Sequence, residues 1–110
     1  MNDGFVYIMS NKIRTTNYIG VTNDIERRLM EHKCGAGSNF TSRYKLYYLM
    51  YYKQFDSIID AIDREKQLKN WHREWKWNLI KTENPKLEDL AADWFTASEI
   101  ADYREMLEQD

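Results

Sequence analysis

The sequence predicts an α+β domain: a small, mainly antiparallel three-stranded sheet flanked by helices, in the order β-β-α-β-α-α. Three observations lead there. Two runs rich in β-branched and aromatic residues, Phe5 to Met9 and Asn17 to Val21, flank a polar connection from Ser10 to Thr16, the pattern of a hairpin. Apolar residues recur at helical spacing in three later segments. Between the first two of these, Leu46 to Phe55 is tyrosine-rich and has the composition of a third strand.

The hairpin alternates with period two, so Val6, Ile8, Ile19 and Val21 share one face, the obvious core side. A register that sets Val6 against Ile19, Tyr7 against Tyr18 and Phe5 against Gly20 leaves the two tyrosines side by side on the other face. Gly20 beside them removes a side chain and allows another backbone to come close. A helix follows, with Asn23 as its cap, Glu26 three residues on, and Asp24 at the positive end of the dipole. Its face of Ile25, Arg28, Leu29 and His32 carries two apolar residues and two bases. Cys34 to Asn39 reads as a loop. Ser57 caps a second helix, Ile58 to about Asn70, whose apolar stripe contains one acid, Glu65. A third helix, Trp71 to about Thr82, ends at Asn84-Pro85 and is expected to bury Trp71 and Trp75. Whether these two helices run on through Asn70 is left open. Ser98 to Glu108 forms a last, acidic and weakly amphipathic helix.

One domain is all that 110 residues allow, and 43% hydrophobic with 31% charged residues is ordinary globular composition. The longest apolar run, Leu46 to Tyr52, has seven residues, far short of the roughly 20 of a membrane span. The N-terminal stretch lacks the basic and apolar regions of a secretory signal. A lone cysteine, Cys34, cannot form an internal disulfide, so a reducing cytoplasm is the expected location. The formal charge of −2 hides an uneven distribution. Residues 1–83 carry a net +4 and residues 84–110 a net −6, so the body is mildly basic and can meet a polyanion.

Five residues break the local rules: Tyr7 and Tyr18 away from the core face, Arg28 and His32 on a helix's inner face, and Glu65 in an apolar stripe. Singly, each has a bland explanation: cross-strand tyrosine packing, a snorkelling arginine, a glutamate paired with Lys69 one turn on. Together they can do phosphodiester chemistry. That reaction needs a base or orienter for water, a cation for the developing phosphorane charge, and a metal held by a carboxylate. A tyrosine base is demanding at neutral pH, since its ordinary pKa is near 10, and it needs a cation such as Arg28 beside it.

These residues resemble a known family. Val6-Tyr7-Ile8 and Tyr18-Ile19-Gly20, then Val21 through Leu29 with Glu31-His32, then Arg64 through Trp71, and finally Asn84-Pro85 are similar to the ordered motifs of GIY-YIG nucleases. The likeness is to the small stand-alone bacterial type related to the catalytic domain of the excision-repair subunit UvrC, and covers residues 4–95. It implies that Tyr7, Tyr18, Arg28 and Glu65 are catalytic, with Glu65 ligating one divalent cation, Mg2+ or Mn2+. It further implies DNA as substrate and DNA repair or recombination as the setting, with Gly20 giving backbone clearance and His32 and Asn84 in support. Arg43, Lys45, Lys66, Lys69, Arg73 and Lys76 are the candidate phosphate contacts. The glycine that opens the first motif is replaced by Phe5, with Gly4 one place early. The expected organisation is therefore a nuclease-like domain over residues 1–95 and an acidic extension over 96–110, which as a cap, a partner surface or a disordered end lies outside the likeness. A nucleic-acid-binding module of the same fold without catalysis is the alternative. A zinc site at His32, Cys34 and His72 falls short of four ligands at familiar spacing.

Overall fold

A computed structural model describes residues 3–109; Met1, Asn2 and Asp110 lie outside the described residues. β1 (Gly4–Ser10) and β2 (Asn17–Thr22) form the hairpin, and α1 (Ile25–Lys33) and a short α2 (Asn39–Arg43) precede β3 (Tyr48–Phe55). Then come α3 (Ile58–Lys69), α4 (Arg73–Glu83) and α5 (Ala97–Leu107). The sheet is antiparallel with strand order β2-β1-β3, so the N-terminal strand is central.

The hairpin faces are as expected, but the register is displaced. Tyr7 pairs with Gly20, Ile8 with Ile19, Met9 with Tyr18 and Phe5 with Thr22. A displacement of two residues keeps every side chain on its face, because the strand period is two. It moves the tyrosines from directly opposite to diagonal and sets Tyr7 against a residue without a side chain.

Both faces of the sheet carry a buried cluster, and only the end of β3, Tyr52 to Gln54, is exposed along it. Val6, Ile8 and Ile19 join Met50, Tyr51, Ala61, Leu68 and Ile80 in one cluster, built with α3 and α4. Tyr7 and Met9 join Ile25, Leu29, Leu46, Leu49 and Ala91 in a second, built with α1. The tyrosine face is thus a core face too, which the unbroken burial of Val6 to Ser10 reflects. A bulge between Ile8 and Met9 in the β1–β3 pairing turns successive residues Met50 and Tyr51 into the first cluster. Gly4 lets α3 approach: a Cβ there would lie 2.8 Å from Ala61 Cβ and 2.8 Å from Ile58 Cα.

The helix ends differ in detail from expectation. Asp24, not Asn23, caps α1, accepting from Arg27 N at 3.2 Å. Ser57 caps α3 as predicted, accepting from Ile59 N. Asn70 closes α3 and α4 starts afresh at Arg73, so the two helices are separate. Trp75 is 53% exposed, edge-on to Trp71 and His72, because that position on α4 points away from the sheet. The acidic tail folds as α5, with a capping box between Thr96 and Glu99. It lies beside α1, where Cys34 Sγ points at Ile100 O, 3.5 Å away. No described helix is long and apolar enough to cross a membrane.

Candidate active site

Tyr7 stands in the middle of the central strand and is 1% exposed. Its ring lies over Gly20, where a Cβ would come within 2.4 Å of Tyr7 Cζ and Oη. Glycine is therefore required here for a side chain's close approach, not for a backbone's. The phenol oxygen is held from α1 at two points. Arg28 Nε donates to it at 3.2 Å, and His32 Nε2 lies 3.0 Å away, sharing one proton with it. Residues 28 and 32 sit one turn apart on α1, so a single helix face delivers both groups to one oxygen.

Burial and these contacts set the protonation states. Burial pushes the Tyr7 hydroxyl up to about 12, against the pull of the Arg28 guanidinium. His32 is pushed down to about 4, first by burial and then by the Arg28 charge, and is neutral at pH 7. Arg28 is desolvated as well, but its hydrogen bonds to Tyr7 and Glu31 outweigh that loss and hold it firmly protonated. His32 Nδ1 is buried and has no hydrogen-bond partner. The loop passes close over it: a Cβ at Gly37 would fall 2.1 Å from His32 Nδ1.

Tyr18, on the edge strand β2, adjoins this junction, its ring centroid 6.4 Å from that of Tyr7 and 6.2 Å from that of His32. Phe40 of α2 stacks on its far side at 6.1 Å and 29°. The Tyr18 hydroxyl has no hydrogen-bond partner among the described residues. With Asn17, Phe40, Lys69 and Lys76 it lines a groove of about 360 Å3. Glu65 of α3 is 15% exposed, and its Oε2 lies 3.0 Å from Lys69 Nζ. Lys69 thereby links Glu65 to the groove that Tyr18 lines. No hydrogen bond joins Glu65 to Tyr7, Tyr18 or Arg28 among the described residues.

Other candidates fall elsewhere. Asn84 is buried and spends its amide on the backbone: Nδ2 donates to Met50 O at 3.1 Å and Glu88 O at 2.8 Å, and Oδ1 accepts from Glu88 N at 3.1 Å. It fastens the end of α4 to β3. Lys66 is exposed on α3; Arg43 and Lys45 are exposed at the end of α2, Arg43 lying 5.6 Å over the Tyr44 ring. Arg73 donates to Thr15 O and lines a separate cavity.

Two participants were given no role by the sequence reasoning, although Glu31 stands in the quoted motifs. Glu31 takes Arg28 Nη1 at 2.9 Å and Arg27 Nη1 at 3.6 Å, steering the Arg28 fork. Its spacing of three and four residues from those arginines was the available signal. Phe40 lies on a helix too short for periodicity, and only the cap pair Ser38 and Thr41 announces α2.

The metal-donor set is sparse. Among the described residues no three His, Cys, Asp or Glu side chains are grouped to hold an ion. Mg2+ accepts such sites, keeping several waters and using one or two carboxylates with substrate phosphate oxygens. Glu65, a hard oxygen donor joined to the groove through Lys69, could serve an ion of that kind only by sharing or giving up its Lys69 contact.

Residues 3–84 match the family model described as the GIY-YIG catalytic domain. The chain belongs to the GIY-YIG family. A UPF0213 protein of Staphylococcus saprophyticus is 32% identical over 80 residues, covering 73% of this chain and 96% of its own. One from Haloquadratum walsbyi is 36% identical over 82 residues, covering 74% of this chain and 91% of its own. The solution NMR structure of a UPF0213 protein from Bacillus halodurans superposes with a TM-score of 0.52 at 26% identity, covering 83% of this chain and 97% of that one. The GIY-YIG domain here is thus similar to small relatives that it spans almost end to end, and has a nuclease-type fold.

Proposed function

We propose that this GIY-YIG protein is a DNA endonuclease that hydrolyses phosphodiester bonds with one divalent cation, Mg2+ or Mn2+, in DNA repair or recombination. The observation that carries this reading is the buried junction at Tyr7 Oη, where a guanidinium and a neutral imidazole meet one phenol. Glu65 would hold the ion, which when bound supplies charge stabilisation on the phosphoryl and leaving oxygens.

The chain's own groups supply the rest. Tyr7, too weak an acid to ionise at neutral pH, orients the attacking water through its hydroxyl oxygen. The water's proton passes along Tyr7 to His32, whose proton affinity rises as a phosphate brings negative charge into the site. Arg28, already aimed by Glu31, stabilises the equatorial oxygens of the phosphorane. Tyr18, with a free hydroxyl facing the groove, is a second water-positioning group. The catalytic unit is assigned to residues 1–95, and the acidic stretch 96–110 to an accessory extension.

The raised Tyr7 pKa favours one second reading, a catalytically silent nucleic-acid-binding module. Labelled flap, four-way-junction, single-stranded and duplex DNA, incubated with Mg2+ and then Mn2+ beside Glu65→Ala, separates the two. Metal-dependent cleavage that vanishes in a folded Glu65→Ala protein supports the nuclease. Retained, salt-sensitive binding with no cleavage of any substrate supports the silent module.

A further inference from the structure

Outside the Tyr7 junction, a cluster of basic side chains lies where the β1–β2 connection meets α4. A cavity of about 550 Å3 there is lined by Arg14, Arg73 and Lys81, with Trp77 and Asn78, and its only acidic lining residue is Glu74. Among the described residues none of these four charged side chains takes part in an ion pair.

The two guanidinium groups are nevertheless fixed in place. Arg14 Nε donates to Leu87 O at 3.1 Å, its Nη1 donates to Asn11 O at 3.1 Å and Lys12 O at 2.8 Å, and its plane lies 4.7 Å over the Tyr48 ring. Arg14 adopts φ of 58°, a left-handed conformation costly for a side chain of this size, and these bonds hold it there. Arg73 Nη2 donates to Thr15 O in the same connection. Backbone carbonyls orient both forks but carry no net charge, so the two arginines are preorganised and, with Lys81, outnumber the one lining carboxylate, Glu74. Planar guanidinium forks matched with a nearby ammonium are suited to phosphate oxygens.

We propose that this cavity is a second phosphate-binding subsite, taking a backbone phosphate of a nucleic-acid strand away from the scissile one. A polynucleotide is favoured over a free anion by continuity. One turn of α4 separates Arg73, in the cavity, from Lys76, in the groove beside Tyr18. A strand engaged at that groove has a basic path onward over the first turn of α4. The inference rests on the nucleic-acid part of the function proposed above, not on catalysis.

The test is binding without turnover, in EDTA, with fluorescently labelled DNA strands and duplexes read by anisotropy across a salt series. Lys81 is exposed, so Lys81→Ala leaves the fold intact, which circular dichroism checks; Lys53→Ala, at another exposed lysine, on β3, is the control. Loss of one phosphate contact lowers the slope of log affinity against log salt by about 0.7–0.9. That drop is expected for Lys81→Ala and not for Lys53→Ala, with a larger one for Lys81→Glu. Equal slopes in all proteins overturn the subsite while leaving the nuclease proposal standing. Inorganic phosphate or a mononucleotide shifting the Trp77 indole resonance, with DNA failing to compete, overturns the polynucleotide assignment in favour of a free-anion pocket. Wild-type protein that binds no DNA even at low salt refutes both proposals. Normal binding without cleavage counts against the nuclease alone.

Discussion

His32 should make the stability of this domain depend on pH in a way that one substitution removes. The imidazole is 1% exposed and its pKa is pushed down to about 4, by burial first and the Arg28 charge second, whereas in the unfolded chain it takes its ordinary value of 6.5. Between those values the unfolded state binds a proton that the folded state refuses. Stability is therefore greatest above the unfolded pKa and falls as pH drops through the window from 6.5 to 4. The full gap corresponds to roughly 3 kcal/mol, and about 2 kcal/mol of it appears between pH 7 and pH 5. The assay is urea unfolding of wild type and His32→Leu at those two pH values. The variant starts from a lower stability, having lost the Tyr7 contact, but its decline from pH 7 to pH 5 should be smaller by about 2 kcal/mol. All other titrating groups are shared and cancel in the difference. An equal decline in the two proteins would refute the claim that His32 is held neutral.

Four further outcomes follow from particular contacts. Gly20→Ala puts a methyl group 2.4 Å from the Tyr7 ring, so the ring must move; a loss of about 1–3 kcal/mol in urea unfolding is expected, with cleavage reduced more than that loss explains. Asn84→Ala strands the Met50 and Glu88 backbone groups that the amide serves, lowering stability by roughly 2–3 kcal/mol in the same assay. Glu65→Gln should change stability by less than about 1 kcal/mol, because its partner Lys69 is half exposed, while abolishing metal-dependent cleavage. Removing residues from Thr96 onward uncovers Cys34, whose thiol pKa is raised by burial. A thiol-reactive dye should then modify it faster, with far-UV dichroism losing one short helix.

Much of the architecture was written in periodicity. Strand alternation assigned the hairpin faces correctly, and the cap candidates Asn23 and Ser57 marked the starts of α1 and α3 to within a residue. Register was misjudged because pairing Tyr7 with Tyr18 satisfied the pattern as well as the true pairing does. Only the close fit of the Tyr7 ring over Gly20, a three-dimensional fact, decides between them. The second core face was hidden for a related reason: tyrosine, arginine and histidine do not look like a core until α1 covers them and their polar atoms find one another. Tyr7, Arg28 and His32 were visible as rule-breakers, and the structure joins them through hydrogen bonds. Glu65 was equally visible, yet what it contacts directly is Lys69. α2 left almost no trace, since five residues cannot display a helical period. Trp75 misled because two tryptophans four residues apart suggest burial, whereas α4 turns that position outward.

The placement of Tyr7 on the central strand has a consequence for motion. β1 pairs on both edges and is covered on both faces, so its amides can exchange with solvent only when the whole sheet comes apart. The phenol therefore sits on the strand expected to stay protected longest, while its neighbours Tyr18 and Phe40 belong to an edge strand and a short surface helix. Loosening the domain by local fluctuation would shift the groove around Tyr7 before it shifted Tyr7 itself. The hydrogen bonds of the candidate site thus converge on a side chain anchored in the central strand.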